Sequence, residues 1–139
     1  MKKYELTTEC KEFLGRKLYR IKALTFFSDV KEGDLGGWIE KEENLSQEGS
    51  TWVYGNATVY GNAEIKKKTH LLEIGFIGSR DDVTTFFRTK DEEIFVKCGC
   101  FKGDIDEFEK QVQKVHGDDK HGRVYALAIA MAREQIELD

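Results

Sequence analysis

The chain has 139 residues, 40% apolar and 35% charged, with a formal net charge of -4. That length and composition fit one small globular protein and exclude a disordered chain. The charge excludes a global field able to hold DNA or an anionic membrane, so any bound anion needs a local constellation of donors. No apolar run approaches the roughly 18 residues of a membrane span. Met1-Lys2-Lys3-Tyr4-Glu5 leads into polar sequence and predicts no secretory signal. The three cysteines, Cys10, Cys98 and Cys100, are an odd set without the second pair of a zinc site, and read as reduced thiols of a cytoplasmic protein. No proline is present, which leaves thirteen glycines as the strong punctuation.

In residues 1–34, Leu18-Tyr19-Arg20-Ile21-Lys22-Ala23-Leu24 alternates apolar and polar side chains and predicts a half-buried strand. The clearest signal follows. Val53-Tyr54-Gly55-Asn56-Ala57-Thr58 is repeated as Val59-Tyr60-Gly61-Asn62-Ala63-Glu64, and Ile65 opens a third unit. A period of six with one aliphatic and one small residue per unit predicts a left-handed parallel β-helix, with the aliphatic chain inside and Gly-Asn at the corners. Ile39 and Leu45 keep the same spacing upstream. The phase then slips by two before Val53, which places a bulge at Gln47-Glu48-Gly49-Ser50. Roughly five units make a short stub, and a stub with open ends predicts self-association, with Tyr54 or Tyr60 near a protomer contact.

After Lys66-Lys67-Lys68, strands are expected at Leu72–Ile77, Val83–Arg88 and Ile94–Phe101, joined as an antiparallel meander. Two helices follow. Asp104 and Glu107 form a capping box ahead of Ile105, Phe108 and Val112, and Gly117 closes the first helix. Asp118 or Asp119 opens the second, with Val124, Leu127, Ala128 and Met131 as its apolar face. The expected fold is thus mainly β plus α: a β-helix-like segment, then a small antiparallel meander with two C-terminal helices on one face. The expected division is residues 1–68 for assembly and 69–139 for ligand binding.

Acyl transfer, which the repeat brings to mind, is set aside at this level. The coils are few, and His70, His116 and His121 all lie outside them. No spacing of Cys, His and carboxylates matches a nucleophilic or metal site, so neither a metal nor a cofactor is expected. Gly75-Phe76-Ile77-Gly78-Ser79-Arg80 is a glycine turn whose backbone N–H groups, hydroxyl and guanidinium suit an anion. Thr84-Thr85-Phe86-Phe87 places neighbouring residues on opposite faces of one strand.

Gly36-Gly37-Trp38-Ile39-Glu40, Asn44-Leu45-Ser46 and the Val-Tyr-Gly-Asn-Ala units resemble short hexapeptide-repeat proteins of phages. Ile77-Gly78-Ser79-Arg80, Thr84-Thr85-Phe86-Phe87, Cys98-Gly99-Cys100-Phe101-Lys102-Gly103, Glu107-Phe108-Glu109 and His116-Gly117-Asp118 resemble the phage anti-defence sponges of the first anti-Thoeris type. The resemblance implies a non-catalytic cytoplasmic protein. It would sequester a cyclic ADP-ribose isomer made by bacterial TIR-domain enzymes, and in a hexamer it could hold cyclic oligonucleotides at a second site. The alternative is a structural oligomerisation module of a phage without a nucleotide ligand, and a third class is an enzyme cleaving a signalling nucleotide. The expected ligand contacts are Ser79, Arg80 and Arg123 for the pyrophosphate, Phe87 and Phe101 for the base, and Thr85 and Asp118 for ribose hydroxyls. Arg20 and Lys22 are the candidates for the second site. The expected assembly is a homo-oligomer, a hexamer or a trimer, with no DNA or membrane partner.

Overall fold

A computed structural model describes residues 2–138. Two antiparallel sheets and two helices make up its regular structure. The first sheet runs β1 (Tyr4–Phe13), β2 (Arg16–Ala23), β3 (Leu35–Ile39). The strand foreseen at Leu18–Leu24 is β2. Leu18 is buried on one face, and Ile21 and Ala23 are buried on the other.

The repeat segment lies between the sheets. Ile39, Leu45, Val53, Val59 and Ile65 are fully buried, and so is Ala57, while Ala63 is nearly so. Parallel bridges join Trp38 to Thr58 and Leu45 to Ile65. The backbone is tied by Trp38 N–H to Ala57 O (3.0 Å), Val59 N–H to Trp38 O (3.0 Å) and Ile65 N–H to Asn44 O (3.1 Å). Asn44 also donates its side-chain amide to Gly61 O and Ala63 O, satisfying carbonyls that the turns leave free.

Gly37 shows how closely these segments pack. A Cβ there would lie 2.5 Å from Ala57 O and 2.7 Å from Val53 Cγ1. Backbone at that distance cannot yield without displacing the rung. Gly37→Ala is therefore expected to cost about 2–3 kcal/mol by overpacking, read as a lowered midpoint in urea unfolding.

The second sheet runs β4 (Leu71–Ile77), β5 (Asp82–Arg88), β6 (Ile94–Cys98), β7 (Phe101–Asp104), each pair antiparallel. The meander is as expected, with one correction. Ile94–Phe101 is not one strand, because Gly99 at φ 57° turns the chain so that Cys98 pairs with Phe101 across a hairpin. Helix α1 (Ile105–Val115) starts at the foreseen capping box: Glu107 N–H donates to Asp104 Oδ1 at 2.8 Å, and Asp104 N–H to Glu107 Oε1 at 3.1 Å. Helix α2 (Lys120–Gln135) is capped by Asp119, which accepts from Gly122 N–H at 2.8 Å.

Both helices cover one face of the second sheet, where Phe86, Val96, Phe108, Val112, Tyr125, Ala128, Ile129 and Ala132 pack. The face foreseen for α2 is corrected. Leu127 and Met131 are exposed, at 70% and 54%, whereas Tyr125, Ile129 and Ala132 are buried. The sheet's other face meets the repeat segment. Phe87 is part of the first cluster, edge-on to Tyr60 with ring centroids 5.2 Å apart. Tyr60 also donates its hydroxyl to Val96 O at 3.0 Å. It is thus an internal residue, which corrects its expected place at a protomer contact. Burial pushes its phenol up to about 12. Tyr54 remains half exposed. Among the described residues no helix is long and apolar enough to cross a membrane.

Candidate functional site

Two turns of the second sheet and the two helices converge on one cleft of about 340 Å³. The β4–β5 turn and its flanks contribute Ser79, Arg80 and Asp82, the β6–β7 turn Cys98 and Cys100, α1 Gln111, the cap that follows it His116, and α2 Tyr125. Gly78 is the pivot of the first turn. It sits at φ 86°, and the Tyr125 hydroxyl lies 1.9 Å from where its Cβ would be. Any side chain at position 78 would strike that phenol, so the glycine lets the Ser79–Arg80 turn lie against α2.

Tyr125 is held by a short chain of side chains. Thr84 Oγ1 on β5 donates to Cys98 Sγ at 3.4 Å, and the Cys98 thiol donates to the Tyr125 oxygen at 3.4 Å. Burial raises the Tyr125 phenol well above its ordinary value, and the contact with Cys98 adds to the rise. The ring of His116 lies 5.8 Å from that of Tyr125 and 5.6 Å from that of His121. His116 Nδ1 lies 3.4 Å from Asp119 Oδ2. The Asp119 carboxyl is held below its usual range, chiefly by the backbone N–H of Gly122 and further by His116.

The cleft is thus walled by a phenol and an imidazole, with a hydroxyl and a guanidinium at its mouth. Among the described residues Arg80 has neither an ion-pair nor a hydrogen-bond partner. An unpaired guanidinium beside a glycine turn can take a phosphate or carboxylate bidentately.

Of the seven ligand contacts expected from sequence, Ser79 and Arg80 line this cleft. Thr85 and Phe87 are corrected: both are fully buried on the far face of β5. Thr85 Oγ1 accepts from Thr58 N–H at 3.2 Å, and Phe87 packs between Tyr60 and Phe95. Strand alternation sends residues 85 and 87 to the repeat segment and residues 84 and 86 to the helices. Phe101 is half-buried on Phe108, with centroids 5.1 Å apart, and does not line the cleft. Asp118 and Arg123 are exposed and stand outside it, with the Arg123 guanidinium donating to Asp118 O in their own loop.

Arg20 lies over Trp38, its guanidinium carbon 4.5 Å from the ring centroid. It is also engaged by Glu9 at 3.3 Å and by Gly36 O at 3.0 Å, while Lys22 is exposed. Sequence reading missed Tyr125, His116 and Asp82 as cleft residues. The spacing of Tyr125, Ile129, Ala132 and Ile136 is the signal that would have turned α2 correctly.

No family model matches the chain. It is similar, at 40% identity over 80 residues, to YdcK of Escherichia coli (strain K12), a protein named as an uncharacterized acetyltransferase. The match takes in 51% of this chain and 24% of that protein, so the chain spans about a quarter of the relative's length. The likeness fits a hexapeptide-repeat segment. It also overturns the expectation that this chain is without catalytic activity, because the protein it resembles carries the name of an enzyme.

Proposed function

We propose that the chain captures a cyclic ADP-ribose-type signalling nucleotide in the cleft beside Arg80, and thereby blocks TIR-based antiphage defence in the host cytoplasm. The observation that carries this reading is the unpaired Arg80 on a glycine turn, opening on the same cleft as the rings of Tyr125 and His116. A pyrophosphate needs the guanidinium and Ser79, and an adenine needs an aromatic wall. The cleft's size is in the range of small-molecule sites. The parallel rungs of the repeat support reading it as a left-handed β-helix stub. In this proposal residues 1–68 mediate assembly into a hexamer or trimer, residues 69–139 hold the nucleotide, and Arg20 and Lys22 serve a second site for cyclic oligonucleotides.

A second reading is acyl transfer from a thioester donor. It is supported by the buried six-residue repeat together with the likeness to a protein named as an acetyltransferase.

One mixing experiment tests both. The protein is incubated with cyclic ADP-ribose isomers, denatured, and the released molecule is identified. Depletion followed by intact release supports capture, and an altered product marks turnover. No depletion, with consumption of an acetyl thioester in a parallel assay, favours acyl transfer. Arg80→Ala is expected to weaken nucleotide binding about ten- to a hundredfold, the loss of one charge-assisted phosphate contact, with the fold unchanged by circular dichroism. Unchanged affinity would place the nucleotide elsewhere.

A further inference from the structure

A second cleft, of about 390 Å³, lies between the start of the repeat and the edge strand β4. Trp52 and Leu71, both buried, form its apolar part, and Ser50 and Thr51 line it beside them. Glu73 projects into it from β4, on the same face as its pairing partner Thr85. One carboxylate oxygen of Glu73 accepts the Tyr54 N–H at 3.1 Å. Among the described residues no cation lies within ion-pair reach of Glu73. A half-buried carboxylate with a single neutral donor has lost much of its hydration without gaining a counter-charge.

The other charges around it are few. Lys68, exposed, stands at the rim. Tyr54 donates its hydroxyl to Asp29 Oδ1 at 2.6 Å, and Asp29 does not line the cleft. Burial pushes the Glu73 carboxyl up to about 7. A bound cation would reverse that by supplying the missing partner.

We infer that this cleft binds a primary alkylammonium group, with the ammonium on Glu73 and the alkyl chain along Trp52 and Leu71. The carboxylate supplies the charge, and the apolar side chains of Trp52 and Leu71 accept methylenes. A free alkylamine and the side chain of a lysine share this chemistry. The inference is independent of the nucleotide cleft, to which Glu73 does not contribute.

The test uses two probes, n-pentylamine and Nα-acetyl-lysine amide, titrated into the ¹⁵N-labelled protein while the Tyr54 amide resonance is followed. At pH 8 at least one probe is expected to shift that resonance in a saturable way. Glu73→Gln keeps an oxygen to accept the Tyr54 N–H but removes the charge, and should weaken the binding at least tenfold. Lowering the pH from 8 to 6 should weaken wild-type binding about tenfold, as Glu73 takes up its proton and the amine stays charged, and should leave the variant unmoved. Saturation by pentylamine alone assigns a free amine, and saturation by the lysine derivative assigns a protein side chain. No saturable shift with either probe, or equal binding by Glu73→Gln, overturns the inference.

Discussion

Val59→Asp should leave the chain unfolded at 25 °C, a loss of more than about 4 kcal/mol. Val59 is fully buried, and its N–H is fixed to Trp38 O at 3.0 Å, so the position cannot rotate its side chain to water without giving up the rung. An aspartate there either buries an unpaired charge or folds protonated, and both are costly against a marginal total stability. Val59→Ala separates charge from volume. It removes two methyl groups' worth of burial and should cost about 2 kcal/mol, leaving a folded protein. Urea titrations read by the fluorescence of Trp38 and Trp52, both in the same cluster, would show the two outcomes. If Val59→Asp unfolds at the midpoint of Val59→Ala, the inward face of the repeat has been misread.

That inward face was legible from sequence because a period of six is carried by side-chain size alone: every aliphatic and alanine of the repeat is buried. Capping chemistry was legible for the same local reason. Asp104 and Glu107 recognise each other three residues apart, whatever packs around them. What failed depended on tertiary choices. Phe86 and Phe87 are adjacent and chemically equal, so the sequence could not show that both faces of β5 would be covered, one by helices and the other by the repeat. Leu127 and Met131 outweigh Tyr125 and Ala132 in hydrophobicity, yet α2 buries Tyr125, Ala128, Ile129 and Ala132. The cleft suffered most. Ser79 and Arg80 announced themselves through the glycine turn, but Tyr125 joins them only because Gly78 has no Cβ to keep it out. That pairing spans 47 positions of chain and leaves no local mark.

Glu73→Gln is expected to stabilise the protein at pH 8 while changing little at pH 5. The Glu73 carboxyl has an ordinary value of 4.5 and titrates at about 7 in the folded chain. Between those values the folded state holds a proton that the unfolded state has released, so unfolding releases it and is favoured as pH rises. The residue therefore contributes least cost below pH 4.5. Its cost grows through the window up to about 7 and is constant above it. Between pH 5 and pH 8 the wild type should lose about 2–3 kcal/mol relative to the glutamine variant, from a slope of at most about 1.4 kcal/mol per pH unit. Comparing the two proteins cancels the other carboxylates, whose titrations are common to both. Urea unfolding at the two pH values measures the difference directly. A difference that stays constant across that range would mean that Glu73 is solvated like a surface carboxylate. A difference that opens with pH and closes when a saturating primary amine is added would show that the destabilising charge and the proposed binding group are the same carboxylate, because a ligand that binds only the ionised folded state lowers that group's pKa as it stabilises the fold.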